Sequence, residues 1–413
     1  MQDFEKIKSY IESKKCEDDA VELESLLTSI PAMAPESDGD GEQMKAHALE
    51  KYLFSLGFPT PEYFYAPDER VSTKKRPNML FTIKGRREES LWIISHLDVV
   101  PPGDESKWKS NPWQVVREGD RIIGRGVEDD QQGLTSSVLA ALPFIKNNII
   151  PEYTVKLLFV ADEEVGSKYG VCYLLKEHKL FSKNDLILVP DGGDPKGETI
   201  EIAEKTTIWF KFVTKGVQTH ASMPDSGNNA FVAGSDLVLR LHNLQNVFDK
   251  RDELFAPSYS TFQPTKKEAN VPNINTIPGE DVFYMDARIL PLYKPEEIVE
   301  AVKRECKAVE EKYGVEVSCE YDDIEYSPQT PKDAKIVKEL SKALKKVRGL
   351  DASIIGIGGG TVAAPLRCAG FDAAIWSTLD DMAHQPNEYA IVKNIVDDAL
   401  IMATLMYGVD NLN

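Results

Sequence analysis

The sequence has few cysteines, no long apolar run and no excess of basic residues, and each absence excludes a class of protein. The five cysteines among its 413 residues are widely spaced and form no Cys-x-x-Cys pair. This excludes a disulfide framework and a thiolate zinc site, and it predicts a cytoplasmic location. No apolar stretch approaches the roughly 18 residues of a membrane-spanning helix. The first residues lack a basic segment followed by an apolar run, so no secretory signal is expected.

The charge balance is acidic, with 48 Lys and Arg residues against 67 Asp and Glu residues and a formal net charge of −19. Binding to nucleic acid or to an anionic membrane requires a basic surface, so neither partner is expected. The excess of carboxylates has two explanations, which are solubility and the gathering of acids around cations. The length predicts a folded protein of about two or three domains.

Apolar patterning predicts an α/β protein in which a small domain interrupts a larger one. Apolar runs at 91–95 and 154–161 are typical of strands, and they alternate with helical segments. Over 206–321 the order changes to β-α-β-β-α-β, which is the order of a ferredoxin-like α+β unit. We therefore predict a discontinuous domain of residues 1–205 and 326–413 and an inserted domain of residues 206–325.

A histidine directly follows one of the predicted strands, in the segment Ser95-His96-Leu97-Asp98. At the carboxyl end of a buried strand, such a side chain points into the crevice where open α/β sheets bind ligands. The carboxylate of Asp98 can accept the imidazole N–H and so select the nitrogen that faces a metal. The alternative is an ordinary turn with a hydrogen-bonded histidine.

Three consecutive acids, Asp162, Glu163 and Glu164, follow the predicted strand at 154–161. Adjacent like charges repel one another, and nothing in the fold requires them here. Two neighbouring carboxylates in a crevice can divide the work, one binding a metal and the other moving protons. This pattern therefore favours a functional site.

Further acids and a histidine lie at the ends of other predicted elements. Asp129 and Asp130 follow a Gly-x-Gly turn before a predicted helix, where helix capping is the alternative explanation. Asp191 ends another predicted strand, and His384 lies in a polar loop before the last helix. Imidazole and carboxylate ligands without cysteine suit zinc, cobalt or manganese. Two such ions about 3.5–4 Å apart can activate a water and polarise a carbonyl.

Taken together, these blocks resemble a known enzyme family. The matching motifs are Ser-His-Leu-Asp-Val-Val-Pro at 95–101, Gly-Arg-Gly-x-x-Asp at 124–129, Asp-Glu-Glu-x-Gly-Ser at 162–167 and the late His384. They resemble the co-catalytic di-zinc metallopeptidases, a family that includes carboxypeptidase G, aminoacylase, succinyl-diaminopimelate desuccinylase, acetylornithine deacetylase, peptidase V and carnosinase-type dipeptidases. The resemblance implies a zinc-exopeptidase-like mixed-sheet catalytic domain with an inserted ferredoxin-like lid and dimerisation domain.

The resemblance also implies a role for each matching residue. The implied metal ligands are His96, Asp129, Glu164, Asp191 and His384. Asp129, rather than Asp130, would bridge two Zn²⁺ ions, for which Co²⁺ or Mn²⁺ are possible substitutes. Glu163 would be the general base and acid, and Asp98 would orient the imidazole of His96. The Asp129-Asp130 doublet looks more like the dipeptidase branch of the family than the deacylase branch.

The inserted domain carries its own matches to the family. His220, in Thr-His-Ala-Ser, resembles the lid histidine, which implies that it stabilises the oxyanion, often in the partner subunit's active site. Asn275 lies in a segment that resembles the lid's Asn-x-Ile-Pro motif. Arg288, in Asp-Ala-Arg, either clamps a substrate carboxylate or forms a salt bridge with Asp286.

A glycine loop precedes one of the late predicted helices, and its backbone N–H groups can bind an anion. The family implies that the loop residues Gly359, Gly360 and Thr361 hold the substrate's carboxylate. Arg367, on the following helix, either assists them or lies on the surface.

The predicted protein is a metal-dependent amide hydrolase acting next to a free carboxylate. A dipeptidase or related exopeptidase is the first choice, and an N-acyl amino acid deacylase of the desuccinylase or deacetylase type is the alternative. A catalytically silent binding module is a remote third possibility. A small-molecule substrate and a homodimer formed through the inserted domain are expected, because a ferredoxin-like sheet has an edge to cover.

Overall fold

The structure, a computed structural model, describes residues 2–321, 324 and 326–412. Its α-helices are α1 Gln2–Ile11, α2 Lys14–Thr28, α3 Gln43–Leu56, α4 Gln131–Lys146, α5 Val171–Glu177, α6 Ala230–His242, α7 Leu244–Val247, α8 Pro295–Tyr313, α9 Lys335–Arg348, α10 Ala363–Cys368 and α11 Val392–Tyr407. Its strands are β1 Glu62–Pro67, β2 Lys75–Ile83, β3 Ser90–His96, β4 Val116–Glu118, β5 Arg121–Ile123, β6 Thr154–Val160, β7 Leu186–Gly193, β8 Thr199–Glu204, β9 Thr206–Lys215, β10 Thr219–His220, β11 Thr261–Lys267, β12 Thr276–Ile277, β13 Glu280–Ile289, β14 Glu316–Tyr321, β15 Ser353–Ile357, β16 Ala373–Ser377 and β17 Tyr389–Ile391.

The chain divides into two compact units. The first comprises the residues up to Ile202, Thr330–Ile354 and the chain from Thr361 onward, and the second comprises Ala203–Gln329 and Ile355–Gly360. The second unit therefore includes the short segment Ile355–Gly360, most of the glycine loop, in addition to a continuous central stretch. None of the described helices is both long and apolar enough to cross a lipid bilayer.

The large sheet is mixed, with the strand order β1-β2-β6-β3-β7-β16-β8-β15 in the described part of the chain. Strand β3 pairs in parallel with β6 on one side and with β7 on the other, whereas β2 runs antiparallel to β6. Every residue of β3 is buried, which means that both faces of the sheet are covered there. Because β3, β6 and β7 are parallel, their carboxyl ends lie at the same edge of the sheet.

Helix α4 starts close to that edge. It follows Asp130, and the residues from Gln131 to Phe144 are buried on all sides of the helix. The helix is therefore packed among other elements, and it contacts α2, α11, β3 and β7.

The second unit contains an antiparallel sheet with the strand order β11-β13-β9-β14. Residues of β9 alternate, with Ile208, Phe210 and Phe212 buried and Trp209 exposed. Helices α6 and α8 contact each other and the sheet, and their apolar residues join those of the strands in one core. The four strands of this sheet, together with α6 and α8, follow the predicted order β-α-β-β-α-β, while β10, α7 and β12 are additional short elements. The predicted mixed α/β fold class is confirmed.

Candidate active site

His96 is the last residue of β3 and is 1% exposed. Its Nδ1 lies 2.9 Å from the backbone carbonyl oxygen of Asp98, to which Nδ1–H donates, whereas the nearer carboxylate oxygen of Asp98 is 3.6 Å away. This hydrogen bond directs Nε2 away from Asp98. The carbonyl oxygen is thus the nearer of the two oxygens of Asp98 that face Nδ1.

The carboxylate of Asp98 holds the acidic segment after β6. Its two oxygens accept the backbone N–H groups of Glu163 and Glu164, each at 3.1 Å. Asp98 is 1% exposed, so these hydrogen bonds are shielded from water. They join the loop that carries His96 to the loop that carries the two glutamates.

The three consecutive acids point in different directions. Asp162 has a left-handed backbone conformation with φ of 69°. Its carboxylate accepts the N–H of Tyr169 at 3.0 Å and lies 3.2 Å from Arg76. Glu163 turns towards His96, with 4.0 Å between Oε2 and Nε2. The like charges are therefore separated, and Asp162 is not part of the cluster around His96.

Asp129 lies between two imidazoles. Its Oδ1 is 3.0 Å from Nε2 of His96, and its Oδ2 is 3.1 Å from Nε2 of His384, which also lies 3.0 Å from Glu164. Asp130 turns elsewhere and accepts the backbone N–H of His96 at 3.2 Å. Asp129 is therefore the member of the doublet that contacts both imidazoles.

These side chains form two overlapping groups suited to a cation. Ligand atoms of His96, Glu163 and Asp191 lie within 4.8 Å of one another, and so do those of His96, Asp129 and Glu164. Burial raises the pKa of Glu163 and of Asp191, so these crowded carboxylates resist ionisation in the absence of a cation. Divalent cations relieve such crowding, and imidazole and carboxylate donors suit zinc. The residues therefore fit a metal centre.

A buried acid that the sequence analysis missed organises the turn before α4. Glu388 is fully buried and accepts hydrogen bonds from Arg125 Nη1 at 2.6 Å and from the backbone N–H groups of Gly126 and Glu128, each at 2.9 Å. It also accepts the N–H of Asp129 at 3.2 Å. One carboxylate thus fixes the path of the backbone that carries Asp129.

Glu128, in the turn before α4, connects this turn to the loop of His384. Its carboxylate accepts the backbone N–H of Asp380 at 2.7 Å and that of Met382, in the loop that leads to His384. Burial raises the pKa of Glu128 and of Glu388 to about 7. We refer to Arg125, Glu128 and Glu388 as the acidic clamp, because together they tie the loop of Asp129 to the loop of His384.

Two of the predicted residues of the second unit are neighbours. His220 on β10 pairs with Thr276 on β12, and the N–H of Ala221 donates to the carbonyl oxygen of Asn275 at 2.9 Å. The N–H of Ser222 donates to Nδ1 of the exposed His220 at 3.2 Å. The hydroxyl of Ser222 lies 2.7 Å from the same nitrogen, so both contacts with Ser222 fix the orientation of the ring.

In the structure, Arg288 forms the salt bridge with Asp286 that was the alternative to a substrate contact. Its Nε and Nη2 each lie 3.0 Å from the carboxylate of Asp286, and its Nη1 donates to the carbonyl oxygen of Gly358 at 2.8 Å. The guanidinium therefore supports the glycine loop, in which Gly359 and Gly360 are exposed.

The last loop residue, Thr361, and Arg367 on the following helix lie in the first unit. Thr361 accepts the N–H of Ala363 with its hydroxyl at 3.1 Å, at the start of α10. Arg367 is 2% exposed, and its Nε donates to the carbonyl oxygen of Ala373 at 3.2 Å. Arg367 is thus a buried residue and does not lie on the surface.

Comparison with known proteins identifies the family. The model of peptidase family M20/M25/M40 matches residues 92–408. The chain belongs to this family. A relative from Methanocaldococcus jannaschii, named an uncharacterised metallohydrolase, is 41% identical over 408 residues, which cover 95% of this chain and 98% of the relative. The predicted family resemblance is confirmed, and this M20 protein is a metal-dependent hydrolase.

More distant relatives differ in the activity for which they are named. A succinyl-diaminopimelate desuccinylase of Rickettsia bellii is 26% identical, covering 89% of this chain and 91% of the relative. The fold matches human carnosine dipeptidase 1 with a TM-score of 0.76 at 16% identity, covering 98% of each chain. It matches an aminopeptidase of Bacillus cereus with a TM-score of 0.74 at 18% identity, covering 95% of this chain and 98% of that one. The family and fold are thus shown, while the substrate differs among the relatives.

Because the acidic clamp is buried, we expect its disruption to destabilise this M20 protein. Arg125→Met is expected to lower the free energy of unfolding by about 3–5 kcal/mol, because Glu388 then stays buried without its cation or takes up a proton. Urea unfolding measures the loss. Arg117→Met is the matched control, since Arg117 forms an exposed pair with Glu17 at 3.8 Å, worth at most about 1 kcal/mol. Equal losses in the two variants would show that the clamp adds no stability.

Proposed function

We propose that the protein hydrolyses a peptide or amide bond next to a free carboxylate, as a dipeptidase or related exopeptidase that uses two zinc ions. The observation that carries the proposal is the convergence of imidazoles and carboxylates at the ends of β3, β6 and β7, beside the start of α4. The converging residues are His96, Asp129, Glu163, Glu164, Asp191 and His384.

We assign His96, Asp129 and Asp191 to one ion and Asp129, Glu164 and His384 to the other. The positions of the two oxygens of Asp129, next to one imidazole each, support its bridging role. Bound zinc would lower the pKa of a water molecule and polarise the scissile carbonyl. The cluster of His96 with Glu163 and Asp191 leaves a second assignment open, in which Glu163 is itself a ligand.

Glu163 is the proposed general base and acid. It takes a proton from the attacking water and passes the proton to the departing amine nitrogen. Burial raises the pKa of its carboxyl group, which suits a group that must hold the proton and then release it. The hydrogen bond from its backbone N–H to Asp98 fixes the start of its side chain.

The proposed roles of the second unit rest on the family motifs. His220 would stabilise the oxyanion through Nε2, because Nδ1 contacts Ser222. Asn275 and Arg288 would bind substrate together with Gly359, Gly360 and Thr361, although Arg288 would have to share its guanidinium with Asp286. A homodimer would form through this unit, whose sheet has β11 and β14 as its edges.

The experiment that tests the substrate class is a hydrolysis screen with the zinc-loaded protein. Dipeptides are compared with N-acetyl and N-succinyl amino acids, and we expect dipeptides to have the higher kcat/KM by at least about tenfold, which corresponds to ~1.4 kcal/mol. Desuccinylase relatives favour the alternative, which is correct if N-succinyl amino acids are the better substrates. If the protein hydrolyses neither class of substrate, both activities are contradicted.

A further inference from the structure

The loop that carries the two site glutamates, residues 161–169, is closed at its base by a side chain from β2. Asn78 is fully buried, and its Oδ1 accepts the backbone N–H of Ala161 at 3.1 Å. Its Nδ2 donates to the carbonyl oxygen of Tyr169 at 2.9 Å. One amide group therefore joins the residue at which this glutamate loop begins to the residue at which it ends.

Asp162, the one of the three consecutive acids that lies outside the cluster around His96, closes the same loop from within. Its Oδ2 accepts the backbone N–H of Tyr169 at 3.0 Å, and its carbonyl oxygen accepts the N–H of Ser167 at 2.6 Å. The backbone of Tyr169 is thus held on both sides, with its carbonyl oxygen bound by Asn78 and its N–H by Asp162. Asp162 is in the left-handed region, which asparagine and glycine also adopt readily.

The two ends of the glutamate loop are in close backbone contact. A β-carbon on Gly170, the residue after the loop, would lie 2.0 Å from the carbonyl oxygen of Ala161. The pairing of β2 with β6 includes Met79 and Phe159, and the amide of Asn78 continues the connection between the two strands beyond this pair. The base of the loop is therefore held by hydrogen bonds other than those that Asp98 accepts.

We propose that Asn78 and Asp162 are positioning residues that close the glutamate loop at Tyr169 and so set the places of Glu163 and Glu164. This inference rests on the proposed function, in which Glu163 moves protons and Glu164 binds one ion. Without the closure, both glutamates shift relative to the metal centre. A displacement of about 1 Å at such a site can lower the rate about 100-fold.

Zinc affinity and steady-state kinetics of the full-length protein test these roles. Asn78→Leu removes the hydrogen bonds of the amide, and Asp162→Gly allows the left-handed conformation but removes the hydrogen bond with Tyr169. We expect each variant to bind one of its two zinc ions about 10- to 100-fold more weakly, measured by competition with a chromophoric chelator. At saturating zinc, kcat on the best dipeptide should fall by at least about tenfold, with little change in KM.

Two matched variants separate positioning from a general loss of stability. Thr154→Val removes two hydrogen bonds at the other end of β6, where the buried hydroxyl accepts from the N–H of Gly85 and donates to the carbonyl oxygen of Arg87. It should leave zinc affinity and kcat unchanged. Asp162→Asn keeps an oxygen that can accept the N–H of Tyr169, so it should also retain both.

Equal zinc affinities in Asn78→Leu and Thr154→Val would overturn the role of Asn78. Equal affinities in Asp162→Gly and Asp162→Asn would overturn the role of Asp162, since the hydrogen bond would then not be what positions the loop. If Asn78→Leu does not fold, the two Asp162 variants decide whether closure at Tyr169 matters. Zinc affinity does not depend on the substrate, so it reports loop positioning even if neither dipeptides nor N-acyl amino acids are hydrolysed.

Discussion

Removal of divalent metal ions is expected to abolish hydrolysis by this protein without unfolding it. Zinc lowers the pKa of bound water from about 15.7 to about 7, so the metal-free protein lacks a nucleophile at neutral pH. The hydrogen bonds that hold the site loops are donated by backbone N–H groups to Asp98, Glu388 and Glu128, so they involve protein groups alone. We therefore expect the circular dichroism of the chelated protein to be retained while its turnover is lost.

Restoring metal makes the prediction quantitative. Addition of Zn²⁺ should return activity as two ions bind per chain, and Co²⁺ or Mn²⁺ should replace it. His384→Ala should bind one ion fewer, since Nε2 of His384 contacts both Asp129 and Glu164. His47→Ala is the matched control, because His47 contacts Gln43 on its own helix and should leave both ions bound. Full turnover in the metal-free protein would exclude metal-dependent hydrolysis.

Much of the fold follows from local apolar patterns, and the exceptions have physical causes. The strand predicted at 91–95 is β3, Ser90–His96, because a continuous apolar run is typical of a strand buried on both faces. Strand β8 was not predicted, because Glu201 and Glu204 make it look polar. Both glutamates are buried, at 3% and 1% exposure. Their burial depends on residues distant in sequence, which a local pattern does not contain.

The site residues likewise divide into those that a local pattern predicts and those that depend on distant parts of the chain. His96 ends β3, Asp191 lies near the end of β7, and Glu163 comes shortly after β6. Because these strands are parallel, the convergence of the three residues can be predicted once the strands are recognised. The acidic clamp could not be predicted in this way, since the hydrogen bond from Gly126 to Glu388 joins residues 262 positions apart. The contact of the Asp98 carboxylate with backbone N–H groups could not be predicted either, because it depends on the path of the loop after β6.

Replacement of Glu163 by glutamine is expected to lower kcat by about two to four orders of magnitude, the usual contribution of a positioned acid or base. Glutamine has nearly the same size and hydrogen-bonding reach, but its amide cannot take a proton from water or deliver one to the amine. The main chain at this position is held by Asp98, so the loop should stay in place. Steady-state kinetics on the best dipeptide of the screen measure the loss, and KM should change much less than kcat.

Metal content decides between the two roles that the geometry allows for Glu163. If Glu163 moves protons, the Glu163→Gln variant retains both ions, and its matched neighbour Glu164→Gln loses one. If Glu163 is instead a ligand beside His96 and Asp191, as their mutual distances permit, Glu163→Gln loses an ion and its activity recovers at high zinc concentration. Normal kcat with full metal content would remove Glu163 from both roles. Because Glu163 and Glu164 are adjacent and both held by Asp98, a difference in metal content between the two variants reports side-chain function rather than loop disruption.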